Sequence, residues 1–294
     1  VTGELAFIAA LRALATDPAA RGLDDDAAVL EIGGESLVLT HDMMVCGVHF
    51  LPGQDPADVA WKLVATNMSD LAAKGAVPIG VLLGYQLSAG TERFLAGLGE
   101  ALAHYGAPLL GGDTVGGAGP QTLGLTALGR ATHRPVPTRS GARPGDTVWV
   151  TGAVGGAMIG LEALRADPAA DPATTLRYRR PQARLAEGRV LAPQVSAMMD
   201  LSDGLLLDAL RLARASRVTV TLESGAVPLD CPEPRRAEAL RWGDDYELLF
   251  TLPAGCPCPV PATRIGTVQD GAPGRLLVDG IDQGEAAGLG FVHR

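Results

Sequence analysis

Acidic residues recur along this chain at the ends of apolar segments: Asp24-Asp25-Asp26, Asp42, Asp70, Asp113, Asp200 with Asp203, and Asp244-Asp245. Several stand beside Gly, Ser, Thr or Asn, as in Leu109-Leu110-Gly111-Gly112-Asp113-Thr114 and Met198-Met199-Asp200-Leu201-Ser202-Asp203-Gly204. A fold that gathers these groups must also supply positive charge, because neighbouring carboxylates repel and raise each other's pKa. Clustered hard oxygen donors favour Mg²⁺ or Mn²⁺, generally shared with a phosphate-bearing substrate. The expectation is metal-dependent phosphate chemistry.

At 294 residues the chain is long enough for two domains, each with its own core. A hydrophobic content of 47% with 19% charged residues fits a folded protein and argues against extensive disorder. Aromatic residues make up 4%, too few for stacking platforms that hold single-stranded nucleic acid. The formal net charge of -9 opposes binding to nucleic acid or to an anionic membrane surface, but not to nucleotides, since bound cations invert the local charge. Lysine occurs only at Lys62 and Lys74, so arginine carries most of the positive charge. Four cysteines are too few for a disulfide scaffold, and Cys256-Pro257-Cys258 lacks the spacing of a zinc knuckle. Reduced thiols and a cytoplasmic location are expected. No signal-peptide pattern opens the sequence, and the longest apolar run, Ala76 to Leu83, is far shorter than the ~20 residues of a membrane span.

Helical spacing covers Glu4 to Leu14 and stops near Asp17-Pro18. Two β-like runs, Ala27 to Ile32 and Ser36 to Thr40, flank Gly33-Gly34 as a hairpin, and the second delivers His41 and Asp42 at its end. Pro56 to Lys74 reads as a helix capped by Asp55, with Asn67 and Asp70 near one face. Ile79 to Leu87 predicts a strand, Thr91 to Tyr105 a helix, and Thr122 to Arg130 another strand. The Pro-, Arg- and Gly-rich break from Ala131 to Asp146 reads as a linker. Beyond it, the pattern predicts a strand over Thr147 to Thr151, a Gly-rich turn, and a helix through Leu164. A helix over Ala183 to Leu191, an Asp200 loop, a helix near Leu205 to Ala215 and a strand over Val218 to Leu222 follow. Strand-helix alternation in both halves gives an α/β or α+β class.

Each motif has two readings. The turn from Thr151 to Gly156 either cradles phosphate through backbone N–H groups or is a tight structural turn; it lacks the ending of a P-loop and the spacing of a dinucleotide fingerprint. Asp25 and Asp26 are either a solvated turn or ligands. Asp113 is the sharpest position, since two preceding glycines permit close approach to an anion while the acid holds its cation. Asp200 and Asp203 precede a helix, where one acid suffices as N-cap. His49 alone reads as structural, Arg139 as a bidentate phosphate clamp or a surface residue, and Asp244-Asp245-Tyr246-Glu247 as a strand cap.

In their order these motifs resemble the thiamine-monophosphate kinase family, within the superfamily that includes aminoimidazole-ribonucleotide synthetase and selenophosphate synthetase. The resemblance spans nearly the whole chain. It runs through Asp25-Asp26-Ala27-Ala28, Thr40-His41-Asp42, Gly47-Val48-His49-Phe50, Asn67-Met68-Ser69-Asp70-Leu71-Ala72-Ala73 and Gly111-Gly112-Asp113-Thr114. It continues through Arg139-Ser140-Gly141-Ala142-Arg143-Pro144-Gly145-Asp146, Asp200-Leu201-Ser202-Asp203-Gly204 and Asp245-Tyr246-Glu247-Leu248. The family implies an α/β (α+β) fold of two aminoimidazole-ribonucleotide synthetase-like domains. Residues 1–135 would form a β-rich, ATP- and metal-binding domain that dimerises through a shared barrel, and residues 136–294 an α/β domain completing the nucleotide and substrate site. The implied activity is in-line transfer of the γ-phosphoryl group of ATP to thiamine monophosphate, assisted by several Mg²⁺ ions, in a cytoplasmic homodimer.

Carried over by position, the metal ligands would be Asp26, Thr40, His41, Asp42, Asp70, Asp113, Asp200 and Asp203. ATP would meet Gly112, Asp113, Arg139 and Ser202, and thiamine monophosphate would meet His49, Asp244 and Phe291. Asp113 and Asp203 would act in catalysis. The acceptor is a phosphate monoester with a second pKa of about 6, so no strong general base is needed and the main barrier is repulsion between polyanions, which cations offset. The chain departs from the family pattern at Asp24, where Gly is usual, at His41 for Thr, at Asp244 for Glu and at Phe291 for Trp or Tyr. The segment between Leu229 and Trp242 also looks shortened. Two rivals stay open at this level: a related ATP-dependent enzyme that activates another small molecule, and a non-catalytic nucleotide sensor.

Overall fold

Helix α1 (Glu4–Arg12) precedes a hairpin of β1 (Ala28–Ile32) and β2 (Glu35–Val45), closed by Gly33 and Gly34 at φ of 58° and 83°, a conformation glycine adopts without steric cost. The structure, a computed structural model, describes residues 3–284 and 288–292. Then come α2 (Pro56–Ala73), β3 (Ala76–Gln86), α3 (Thr91–Tyr105), β4 (Leu109–Val115) and β5 (Thr122–Ala131). The five strands form a sheet in the order β1-β2-β5-β3-β4, with only β3 and β4 parallel. Helix α2 packs across this sheet beneath α3. Asp55 caps α2 by accepting the N–H of Ala57 at 3.0 Å, and Pro56 sits where its missing N–H costs nothing. The helix is buried on nearly every side, as expected of a central rather than a surface helix.

The second half adds β6 (Thr147–Val150), α4 (Gly156–Ala166), α5 (Pro172–Arg179), α6 (Leu185–Leu191), β7 (Ala197–Asp200), α7 (Leu205–Ser216) and β8 (Thr219–Leu222). It closes with α8 (Arg236–Ala239), β9 (Leu248–Leu252), β10 (Thr263–Gln269), β11 (Arg275–Val278) and β12 (Ile281–Asp282). These strands form a seven-stranded sheet in the order β12-β11-β8-β10-β6-β9-β7. Each half has its own apolar core. A third cluster joins them: Ala72 and Ala73 of α2 pack with Leu191, Met198, Leu248, Phe250 and Leu252. Among the described residues no helix is long and apolar enough to cross a membrane.

Three expectations need correction. β2 does not end before His41 and Asp42 but continues to Val45, because β5 pairs with it residue by residue from Leu37 to Val45. Thr40 and Asp42 take inward positions that an apolar alternation would have filled. Gly111-Gly112-Asp113 lies inside a strand rather than at the end of an apolar segment. A Cβ at Gly112 would lie 1.9 Å from the carbonyl oxygen of Leu83, so glycine there serves close strand approach. Asp200 is the last residue of β7, not part of a loop. The short second-half elements α5 and β10 to β12 have no strong periodic signal in the sequence.

Candidate active site

Helix α2 presents Lys62, Thr66 and Asp70, and at its C-cap Lys74, at four-residue intervals, which brings successive side chains near one another. β2 faces the helix with Thr40 and Asp42, and the Thr40 hydroxyl donates to Asp70. The backbone N–H of Asp42 donates to Asn67 Oδ1 at 3.3 Å. From the second half, β7 delivers Asp200 to the same place. Carboxylate oxygens of Asp26, Asp70 and Asp200 lie within 4.8 Å of one another.

Electrostatics follow from this packing. Burial, followed by the charges of Asp42, Asp200 and Asp26, holds the Asp70 carboxyl well above the ordinary carboxylate range. Burial and then the Asp26 charge do the same to Asp200. Asp42 is pushed up to about 6, first by burial and next by Asp203, against a hydrogen bond from Thr66. None of Asp42, Asp70 and Asp200 forms an ion pair among the described residues. Buried, converging acids that form no ion pair are the donor set expected of a hard divalent cation.

Asp26 differs from these three. Arg139, carried on the strap between the two sheets, holds its Oδ1 through Nε at 2.7 Å, and Lys74 Nζ lies 2.7 Å from Oδ2. Burial works against the Arg139 charge, but Asp26, Asp208 and Asp25 together outweigh it and raise the guanidinium further. Asp203 stands in the turn after β7. Its carboxylate pairs with Arg211, and its N–H donates to Asp208 Oδ2 at 3.1 Å. Asp208 is fully buried and pushed up to about 7 by burial, against the pull of Arg211.

A second group gathers at the other end of α2. Lys62 Nζ donates to Asp244 Oδ2 at 2.7 Å and to the His49 carbonyl at 3.1 Å, and it sits 4.1 Å from the centre of the Tyr178 ring. The Tyr246 hydroxyl donates to Asp244 Oδ1 at 3.0 Å. Asp244 takes a left-handed conformation, with φ of 68°, in the segment that also lies against Ser202, whose carbonyl accepts the Asp244 N–H at 2.9 Å. The Phe291 N–H donates to the Asp203 carbonyl at 2.9 Å, so this C-terminal aromatic is tied to the same turn.

The chain thus brings together Asp26, Thr40, Asp42, Asp70, Arg139, Asp200 and Asp203, and, beside them, His49, Ser202, Asp244 and Phe291. It does not bring in His41, whose side chain lies on the opposite face of β2 with Nδ1 2.8 Å from Thr126 Oγ1. Gly112 and Asp113 also stay apart. They lie on β4, at the far edge of the sheet, where Asp113 is exposed and its carboxylate accepts the N–H of Thr114 at 2.9 Å. The Gly-rich turn is already occupied: Asp245 accepts the Gly155 N–H at 3.0 Å, and a Cβ at Gly152 would lie 2.1 Å from Glu247 Oε1. The N–H groups of Thr151 and Val154 are likewise taken, by the carbonyls of Leu248 and Pro228, and the structural reading of that turn prevails. Sequence reasoning missed Lys62, Lys74, Asp208 and Arg211. The lysines had a signal, since a residue type used twice in 294 positions stands out when both copies fall in one helical segment.

Comparison with known proteins matches residues 24–131 to the N-terminal domain and residues 143–279 to the C-terminal domain of AIR synthase related proteins. The thiamine-monophosphate kinase of Escherichia coli (strain K12) is 38% identical over 252 residues, covering 79% of this chain and 76% of that protein. The corresponding protein of Caulobacter vibrioides is 39% identical over 254 residues, covering 80% of this chain and 72% of that one. The solved structure of AaThiL complexed with AMPPCP and TMP superposes with a TM-score of 0.88 at 30% identity, covering 99% of this chain and 97% of that one. With two matching domains and relatives of this identity over most of its length, the chain belongs to the thiamine-monophosphate kinase family of AIR synthase related proteins.

Proposed function

We infer that the protein phosphorylates thiamine monophosphate with ATP, giving thiamine diphosphate and ADP. The observation that carries this reading is the near-complete superposition on a relative solved with AMPPCP and TMP, together with kinase relatives at 38–39% identity. ATP is the phosphoryl donor. We assign the acid cluster to Mg²⁺, which supplies charge neutralisation between donor and acceptor phosphates when bound. Asp26, Asp42, Asp70, Asp200 and Asp203 would hold it. Arg139, fixed by Asp26, supplies a permanent positive charge beside the phosphates. Asp244, locked by Lys62 and Tyr246, and His49 would orient the acceptor. Because the acceptor oxygen is already largely deprotonated at neutral pH, these residues need only align it and exclude water.

In this reading residues 1–135 are the ATP- and metal-binding, dimerising domain, residues 136–294 complete the site, and the protein acts in the cytoplasm as a homodimer. Support for the dimer comes from the first sheet, whose outer face and β4 edge expose Met43, Leu82, Leu109, Leu110 and Val115. Asp113 and His41 belong to that face, so a second subunit is the means by which they would reach a site.

The test is a product assay with purified protein, Mg-ATP and thiamine monophosphate, resolving thiamine diphosphate by chromatography, with thiamine and acceptor-free controls. Equal amounts of thiamine diphosphate and ADP, dependent on Mg²⁺, are expected. ADP without thiamine diphosphate would identify a different acceptor, and nucleotide binding without ADP a sensor.

A further inference from the structure

Lysine is seldom fully buried unless paired, yet both lysines of this chain are at most 1% exposed and both bond to acids of the site. Lys74 is the C-cap of α2, where an ordinary lysine would reach back toward the helix carbonyls and solvent. Its ammonium instead turns inward, donating to Asp25 and lying 2.7 Å from Asp26 Oδ2. Arg139 holds the other oxygen of Asp26, and Arg21 holds Asp25 Oδ2 at 2.6 Å. Burial acts to raise the Asp25 carboxyl, but Lys74 and Arg21 together bring it below the ordinary value. Asp26 is thus held by fixed cations on both oxygens, while Asp70 and Asp200, within 4.8 Å, have none among the described residues.

We propose that Lys74 is a resident cation of the metal cluster that competes with divalent ions for Asp26, so that metal binding stays weak until nucleotide phosphates add their own ligands. This rests on reading the acid cluster as a metal site. Lys74 touches neither substrate nor reacting atoms and acts through Asp26. Its ammonium lies 2.7 Å from Oδ2 without hydrogen-bonding to it, which leaves that buried oxygen short of a donor, and its charge opposes a second cation throughout the low-dielectric cluster.

The test is calorimetric titration of Mg²⁺ into nucleotide-free wild type, Lys74→Met and Lys74→Arg. Removing the charge is expected to tighten Mg²⁺ binding by about tenfold, whereas Lys74→Arg, which keeps it, stays near wild type. A lysine that merely fills space would change thermal stability in Lys74→Met and leave the Mg²⁺ affinity where it was. That result, or weaker binding, overturns the proposal while leaving the metal site intact. Failure of wild type and variants to bind Mg²⁺ with or without ATP would overturn the metal reading itself. Should Lys74→Met not fold, wild type labelled with ¹⁵N-lysine gives a second measurement, because only two side-chain signals exist. Mn²⁺ is expected to broaden one of them strongly, and two unaffected signals would refute a lysine at the metal cluster.

Discussion

Asp70 and Asp200 form no ion pair among the described residues, and burial with repulsion from neighbouring acids holds both carboxyls well above their ordinary range, against the charge of Arg139 in the case of Asp200. Such sites exchange stability for function. Asp70→Asn keeps the shape and the partner hydroxyl of Thr40 while removing one charge. In EDTA this variant is expected to melt about 2–4 °C above wild type, the shift that ~1 kcal/mol gives in a chain of this size, while phosphoryl transfer falls to background. Scanning calorimetry beside the product assay checks both, and a lower midpoint would mean that the carboxylate contributes stability without its ion. Lys62 makes a different case, because it fixes Asp244 from the opposite half of the molecule. Lys62→Met is expected to raise KM for thiamine monophosphate by about tenfold with a smaller change in kcat and in KM for ATP, the signature of lost ground-state binding; equal effects on both substrates would refute this role. The acids themselves were legible in the sequence because their positions follow the family motifs. The roles of Asp208 and Arg211 were not, since they depend on which way a helix turns them toward Asp203, and the lysines, though conspicuous by rarity, gave no hint of their partners, which for Lys62 is Asp244 in the other half of the chain.

Helix α2 organises the site as a single element. Lys62 and Lys74 lie twelve residues apart, about 18 Å along the axis, with Thr66 and Asp70 between them. One rigid helix therefore sets the spacing between the acceptor end and the metal end. Its existence and start were readable from Asp55, Pro56 and the apolar run that follows. β4 and the end of β2 were not, because glycine signals both a turn and a close strand contact, and because inward-facing Thr40 and Asp42 interrupt the apolar alternation for functional reasons. The C-terminal end of α2 is held against α6 at Gly188, where an added Cβ would lie 2.0 Å from the Ala72 carbonyl oxygen. That backbone atom cannot step aside without moving the helix end that carries Asp70 and Lys74. Gly188→Ala is accordingly expected to lose about 1–3 kcal/mol of stability and to weaken Mg²⁺-dependent activity as well, measured by denaturant unfolding and the product assay. Full retention of both would show that the two halves can separate at this contact at no cost.

At the scale of the whole molecule, the raised acids couple folding to pH. A carboxyl whose pKa is higher in the folded state binds its proton more tightly there. Its stabilising effect is complete below the ordinary 3.8 and is lost as pH rises through the folded value, to about 6 for Asp42 and about 7 for Asp208. Asp70 and Asp200 act in the same direction. Asp25, shifted downward, contributes fully above 3.8 and loses its effect only as pH falls below that value, outside this window. In EDTA the midpoint is expected to fall from mildly acid to neutral pH, and the increment given by Mg²⁺ to grow across the same interval, because metal ligands must be deprotonated. Thermal scans with and without Mg²⁺ check this, and a midpoint that rises toward neutrality in EDTA would contradict it. Assembly is the other property of the whole molecule. The outer face of the first sheet carries the row His41, Thr126 and Leu82 across β2, β5 and β3, with the row of Met43 and Gly124 next to it, and β4 leaves its free edge beside them with Asp113 exposed. An apolar face next to an unpaired edge strand calls for a covering partner, and a second copy of this sheet would supply one while carrying Asp113 and His41 to the interface. Sedimentation velocity is expected to give a dimer for wild type and a monomer for Leu82→Arg, which places a charge at the centre of that face. If Asp113 completes a site across the interface, the monomer loses phosphoryl transfer although its own acid cluster is untouched; a fully active monomer would show instead that one chain suffices and that Asp113 takes no part.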